Sequence, residues 1–150
     1  MTQTARLYGG SMYELAAEEQ LAGIILEQMQ MIRELFRENP DYVKLLTNPA
    51  IPKEERNQLL EDAFGARAER YLVNFLKLLC ERNILREYAG CCEEFTRRYY
   101  ADHNIAEAVV TSAVPLDDKQ KAALKEKLKK ISGKDIELKV KVDPEVLAGL

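Results

Sequence analysis

Apolar residues recur at every third or fourth position through the first hundred residues, then at every second position in two short stretches after His103. The first rhythm belongs to amphipathic helices and the second to half-buried strands. Helices are predicted over 4–18, 20–38, 41–47, 53–64, 68–82 and 86–103, divided by Gln/Glu-rich, Asn-Pro, Pro-x-x-Pro, Gly and Asn signals. In the second, Leu21, Ile25, Met29, Ile32 and Phe36 form one stripe, the core face of an amphipathic helix. Between the third and fourth, Pro49 and Pro52 lack backbone donors and bias Asn48 and Ile51 away from helical geometry. One helix therefore ends near Thr47. Pro52 suits the first position of the next, with Glu54 and Glu55 in its opening turn and Gly65 at its end, where a left-handed cap is expected.

The fifth helix is apolar over an arc of about 220°, taking roughly 100° per residue, and only Asn74 and Lys77 lie outside it. It is either central to a bundle or lends one edge to a partner. The first helix carries Tyr8, Met12 and Leu15 as a stripe with Gly9, Gly10 and Ser11 beside it. Each interior glycine costs about 1 kcal/mol relative to alanine. Either the helix start frays, or small residues admit another helix closely.

Past His103, EAVVTSAV (107–114) reads as a strand ended by Pro115. A helix from Asp117 to about Ile131 follows, with Leu124, Leu128 and Ile131 inward, Lys121, Lys125 and Lys129 outward, and Gly133 as its cap. DIELKVKV (135–142) alternates strictly, with Ile136, Leu138, Val140 and Val142 on one side. The fold class is α+β, mainly α: a six-helix bundle over 1–104, then a small β-α-β part over 105–150.

Composition narrows the function. Hydrophobic residues make up 47% and charged residues 31% of the 150, with net charge -3, which fits neither a disordered chain nor a strongly basic nucleic-acid binder. Residues 1–104 hold 13 basic and 17 acidic side chains, and 105–150 hold 9 and 8. No run of about 18 apolar residues or targeting pattern occurs, so a chain residing in the bacterial cytosol, or loaded onto a larger body after synthesis, is expected. Cys80, Cys91 and Cys92 are odd in number and fit small helix fillers better than a disulfide or redox pair.

Catalytic signatures fail one by one. His103 is the only histidine and has Tyr100 three residues before it, which excludes the Glu-x-x-His repeat of a di-iron bundle. The cysteines lack zinc-site spacing. Around Ser132, Gly133 and Lys134 a phosphate loop would need Gly at Leu128 and Ser or Thr at Asp135. No catalytic residue, metal or cofactor is expected, and nucleotide chemistry is not expected of this chain.

Five segments in order, YGGSMYELA, LLTNPAIPKEERNQLLEDAFG, NFLKLLCERN, EAVVTSAVPLDDKQKAALKEKL and VKVDPEVLAGL, resemble the delta subunit family of the F-type ATP synthase, which includes the oligomycin-sensitivity-conferring subunit. The resemblance spans essentially the whole chain. Asn83-Ile84 stands where the family usually has Gly-Arg after the fifth helix. The family's chains also continue past the Asp-Pro-x-Leu-x-Gly element, so the C-terminal part reads as shortened. What the resemblance implies is a non-catalytic stator subunit of a proton-translocating synthase, peripheral on the cytoplasmic face of a bacterial membrane without inserting into it. Its bundle would sit on the catalytic hexamer and its C-terminal part would join the b-subunit helices of the peripheral stalk; nucleic acid is not an implied partner. The resemblance further implies that the N-terminal helix of an alpha subunit lies between the first and fifth helices, against Tyr8, Met12, Leu15, Tyr71, Asn74, Phe75 and Leu78, with the small residues of the first helix forming part of that wall. The alternative reading is an unrelated regulatory or enzymatic helical bundle, which a bound metal or a cofactor-sized pocket with convergent polar groups would favour.

Overall fold

The computed structural model describes residues 1–145. The chain divides into two compact units, Met1–Tyr99 and Tyr100–Leu150. The first unit contains α1 (Gln3–Glu18), α2 (Ala22–Glu38), α3 (Pro40–Thr47), α4 (Lys53–Phe64), α5 (Arg70–Glu81), a 3-10 turn (Leu85–Glu87) and most of α6 (Tyr88–Asp102). The second contains β1 (Ile105–Ser112), α7 (Asp118–Ser132) and β2 (Asp135–Val142).

Local chemistry sets the helix ends. The Thr2 hydroxyl caps α1 by accepting from the Ala5 amide at 3.0 Å, and itself donates to Glu87 Oε2 at 2.6 Å. Pro49 closes the way forward for α3, and Asn48 is extended at ψ 116°. Pro52 lies one residue outside α4, as its N-cap, instead of being the first helical residue; its carbonyl accepts the Arg56 amide at 3.1 Å. Gly65 is right-handed at φ -56°, not the left-handed cap the sequence suggests. The chain keeps turning there, with the Arg67 and Ala68 amides both bonded to the Phe64 carbonyl. After α5 the left-handed residue is Asn83, at φ 57°, a conformation asparagine tolerates better than other non-glycine residues.

The bundle core is one cluster in which Ile25, Met29, Leu46, Leu60, Leu72, Val73, Leu76, Leu79, Cys91 and Phe95 exclude solvent. α5 is its centre and buries Leu72, Val73, Phe75, Leu76, Leu79 and Cys80. Each such side chain contributes roughly 1.5–3 kcal/mol when fully buried, so α5 is a main source of bundle stability. Cys91 and Cys92 are buried free thiols and fill space. The buried Tyr88 hydroxyl donates to the Met29 carbonyl at 2.8 Å, a bond between α6 and α2.

The two glycines of α1 face α6. A Cβ on Gly9 would lie 2.6 Å from the Cys91 carbonyl oxygen and 2.9 Å from Cys91 Cα, and one on Gly10 would lie 2.7 Å from an Arg98 guanidinium nitrogen. The close helix contact they permit is therefore made inside the bundle, which corrects the expectation that they form part of a partner-facing wall. Beside them Glu94 is buried, its carboxylate gripped by Arg97 Nε at 2.9 Å and Arg98 Nε at 3.4 Å. The bond from Arg97 is the chief cause that lowers its pKa.

In the second unit, β1 and β2 pair in parallel with Ile105 opposite Asp135 and Ser112 opposite Val142. β1 begins and ends two residues earlier than the sequence pattern suggests, because the ladder with β2 starts at Ile105 and leaves Val114 exposed. α7 crosses between the strands. Asp117 and Gln120 form a capping box at its start and Gly133, at φ 70°, ends it. It packs on β2, with Leu124 and Leu128 half-buried on α7 and Ile136 buried on the strand. Ile131 is 75% exposed and Val142 is also exposed, against the inward placement expected for both. Ile131 stands in the last turn of α7, just before Gly133 redirects the chain. The last five residues of the VKVDPEVLAGL segment, Val146 to Leu150, lie outside the described residues.

Candidate functional site: an apolar groove between α1 and α5

Because Gly9 and Gly10 turn one side of α1 onto α6, the side carrying Tyr8, Met12 and Leu15 is left beside α5. Positions 8, 12 and 15 repeat at the spacing of a single helix face, as do 71, 75 and 78 on α5. The two rows enclose a groove of about 570 Å³ lined by Leu7, Tyr8, Ser11, Met12, Leu15, Tyr71, Asn74, Phe75 and Leu78. All seven residues singled out from the sequence lie on it together. Leu7 and Ser11 are additional.

The groove has a rigid floor and adaptable edges. Met12 and Phe75 are buried and belong to the core, while Leu7 is 65% exposed and Tyr71 37%. Leu15, Leu78 and Tyr8 lie between these extremes. Leu7 could have been found from its place one turn before Ser11, but its exposure depends on how α1 is rotated against α6. Exposed apolar side chains arranged this way are what a docking groove offers. The wall is braced from outside: Glu61 of α4 accepts hydrogen bonds from Arg70 and Lys77 of α5. Those two contacts, Arg70 first, hold its pKa down at about 2.

A second cleft of about 640 Å³ is lined by Arg33, Arg37, Arg86, Phe36 and Tyr88, among others. It is slightly larger but less suited to docking an apolar segment, since its three arginines already face Glu93, Glu34 and Glu87. Among the described residues no group of three or more His, Cys, Asp or Glu side chains could hold a metal ion. Burial pushes the thiols of Cys91 and Cys92 up to about 12, well away from the reactive thiolate range.

Residues 4–150 match the sequence profile of the ATP synthase delta (OSCP) subunit family. The chain belongs to that family. Among its relatives, ATP synthase subunit delta of Lachnoclostridium phytofermentans is 31% identical over 147 residues, covering 97% of this chain and 81% of the relative. The Picosynechococcus subunit delta is 29% identical, covering 100% and 82%, and a sodium-ion-specific subunit delta from Ilyobacter tartaricus is 27% identical, covering 98% and 84%. A chain in the cryo-EM structure of the Toxoplasma gondii mitochondrial ATP synthase hexamer shares the fold with a TM-score of 0.73 over 95% of this chain and 79% of its own length, at 16% identity. This delta-family chain is thus a non-catalytic stator subunit of the F-type ATP synthase, and its associations are with other subunits of that complex. The family match displaces the alternative of an unrelated enzymatic or regulatory bundle. Among the described residues no helix is long and apolar enough to cross a membrane.

Proposed function

We propose that the α1–α5 groove receives the amphipathic N-terminal helix of one alpha subunit of the catalytic hexamer, and that residues 105–150 join the b-subunit helices of the peripheral stalk. Residues 1–104 are then the hexamer-binding part. Held at both ends, the chain resists rotation of the hexamer with the rotor, and torque goes into ATP synthesis. The coupling ion is the proton and the complex sits on the cytoplasmic face of a bacterial membrane.

The observation that carries this reading is the apolar groove itself, built on buried Met12 and Phe75 and bordered by exposed apolar side chains. A helix laying two or three apolar anchors into such a groove removes that surface from water, and a few of those contacts dominate the affinity. Leu78→Asp places a charge on the α5 wall at a half-buried position. Calorimetric titration of the alpha-subunit N-terminal peptide should give a Kd raised about tenfold or more, with circular dichroism unchanged. Equal affinities for wild type and variant would remove the groove from the interface.

A further inference from the structure

In this groove two polar side chains occupy the middle of otherwise apolar walls. On α1 the lining runs from Leu7 to Leu15 and Ser11 lies halfway; on α5 it runs from Tyr71 to Leu78 and Asn74 lies halfway. At 1.5 Å per residue each wall is about 10–12 Å long. Both polar side chains therefore stand about one turn in from either end of the same groove. Ser11 and Asn74 are both exposed, and among the described residues neither side chain has a hydrogen-bond partner. An apolar segment lying over them would strip water from an amide and a hydroxyl and give nothing back.

We propose that Ser11 and Asn74 form a register-setting notch: the docked helix carries one hydrogen-bonding side chain, Asn, Gln, Ser or Thr, at the centre of its apolar face, with apolar anchors one turn to either side. This rests on the groove being the helix's dock. In the matched register the central side chain satisfies Asn74, and the anchors lie against Tyr8 and Tyr71 at one level and Leu15 and Leu78 at another, or in the opposite pairing. A slip of one turn places the polar side chain against an apolar wall residue and an anchor over Asn74, leaving two polar groups unpaired. Single buried polar residues fix the register of coiled coils in the same way, at some cost in affinity. Asn74 is thus a positioning residue, and the exposed apolar residues supply the affinity.

The test uses the full chain and the N-terminal peptide of the alpha subunit, scanned one position at a time to leucine at its polar sites. Each peptide is titrated by calorimetry into wild type, Asn74→Leu and Ser11→Ala, whose solvent-exposed sites leave the bundle fold intact. One position in the middle of the bound stretch should respond: leucine there weakens binding to wild type about tenfold, and weakens binding to Asn74→Leu less than about twofold. If no peptide position couples to Asn74, the inference is wrong. It is equally wrong if Asn74→Leu tightens binding of the parent peptide with a single register kept, since water or nothing then serves the notch. A parent peptide that fails to bind wild type at all is a different result, which overturns the groove assignment and takes this inference with it.

Discussion

Alanine at Gly9 should destabilise the bundle, while alanine at the neighbouring Gly10 should not. By helix propensity alone each substitution is favourable by up to about 1 kcal/mol. At Gly9 the new methyl meets backbone, 2.6 Å from the Cys91 carbonyl oxygen and 2.9 Å from Cys91 Cα, with Glu94 Cβ at 3.1 Å. Ordinary contact begins near 3.4 Å, so α1 and α6 must part by about 0.8 Å at their closest point. Overpacking of this kind costs about 1–3 kcal/mol, which exceeds the propensity gain. The net loss is about 1 kcal/mol, or roughly 2–4 °C in Tm for a chain of this size. At Gly10 the obstacle is the end of the Arg98 side chain, at 2.7 Å, which is partly exposed and can swing aside. Its bridge to Glu14, 3.1 Å long and open to solvent, is worth at most about 1 kcal/mol, and the contact it also makes with the buried Glu94 is the longer one, at 3.4 Å, leaving that carboxylate still bound to Arg97 if Arg98 shifts. Gly10→Ala should therefore come out neutral or slightly stabilising. Urea denaturation of both variants beside wild type measures the two signs, read from the midpoint at constant m. A Gly9→Ala chain as stable as wild type would refute the claim that backbone proximity, and not flexibility, is why glycine stands there.

The remaining predictions concern charge and thiols. Glu61 has its carboxyl held down at about 2 by Arg70 and Lys77, against an ordinary 4.5, so its stabilising share is complete above about 4.5 and disappears as pH falls toward 2. Glu61→Gln should lower stability at pH 7, and the gap between variant and wild type should close over that window in denaturation series; a gap independent of pH would show that the ion pairs contribute nothing. Cys91 and Cys92, buried and with pKa raised to about 12, should react with iodoacetamide at pH 8 at least about tenfold more slowly in the native chain than in denaturant. Mass spectrometry of the timed reaction gives the rates, and comparable labelling in both states would mean that α6 opens far more readily than its packing implies.

Most helix limits were legible because their causes are local. Pro49, Asp117 and Gly133 act on their own neighbours, so a reader of the sequence meets cause and effect together. The stripes that become the groove's walls were visible too, Tyr8, Met12 and Leu15 on one face of α1 and the wide apolar arc of α5, but periodicity left open whether that arc was central or partner-facing, and only the family resemblance put the two together. What the chain could not disclose is which helix arrives at which face. Gly9 and Gly10 announce a close approach, but that the neighbour is α6 is a tertiary fact. Gly65 carries the usual mark of a left-handed cap, yet the chain there continues right-handed into a further turn, and a Cβ would press on the Glu61 carbonyl at 2.7 Å. Ile131 reads as core by spacing and ends up exposed, because α7 ends on that very turn. Glu94 gives no sequence sign of burial at all; its shelter comes from α1 and its neutralisation from Arg97 and Arg98.

The double-proline corner has one more participant. Arg56, in the first turns of α4, points an Nη1 toward the Leu46 carbonyl at 3.5 Å, the Cys80 carbonyl at 3.3 Å and the Asn83 side-chain oxygen at 3.5 Å, while its Nε is buried without a partner among the described residues. Carbonyls at the ends of α3 and α5, the negative poles of two helices, thus converge on one cation. A guanidinium is a planar, rigid donor, so one side chain can serve acceptors from separate elements without flexing. The fold line between α3 and α4 is thereby tied to the far end of α5, and a subunit whose task is to stand still has its double-proline corner moored to the helix at the centre of its core.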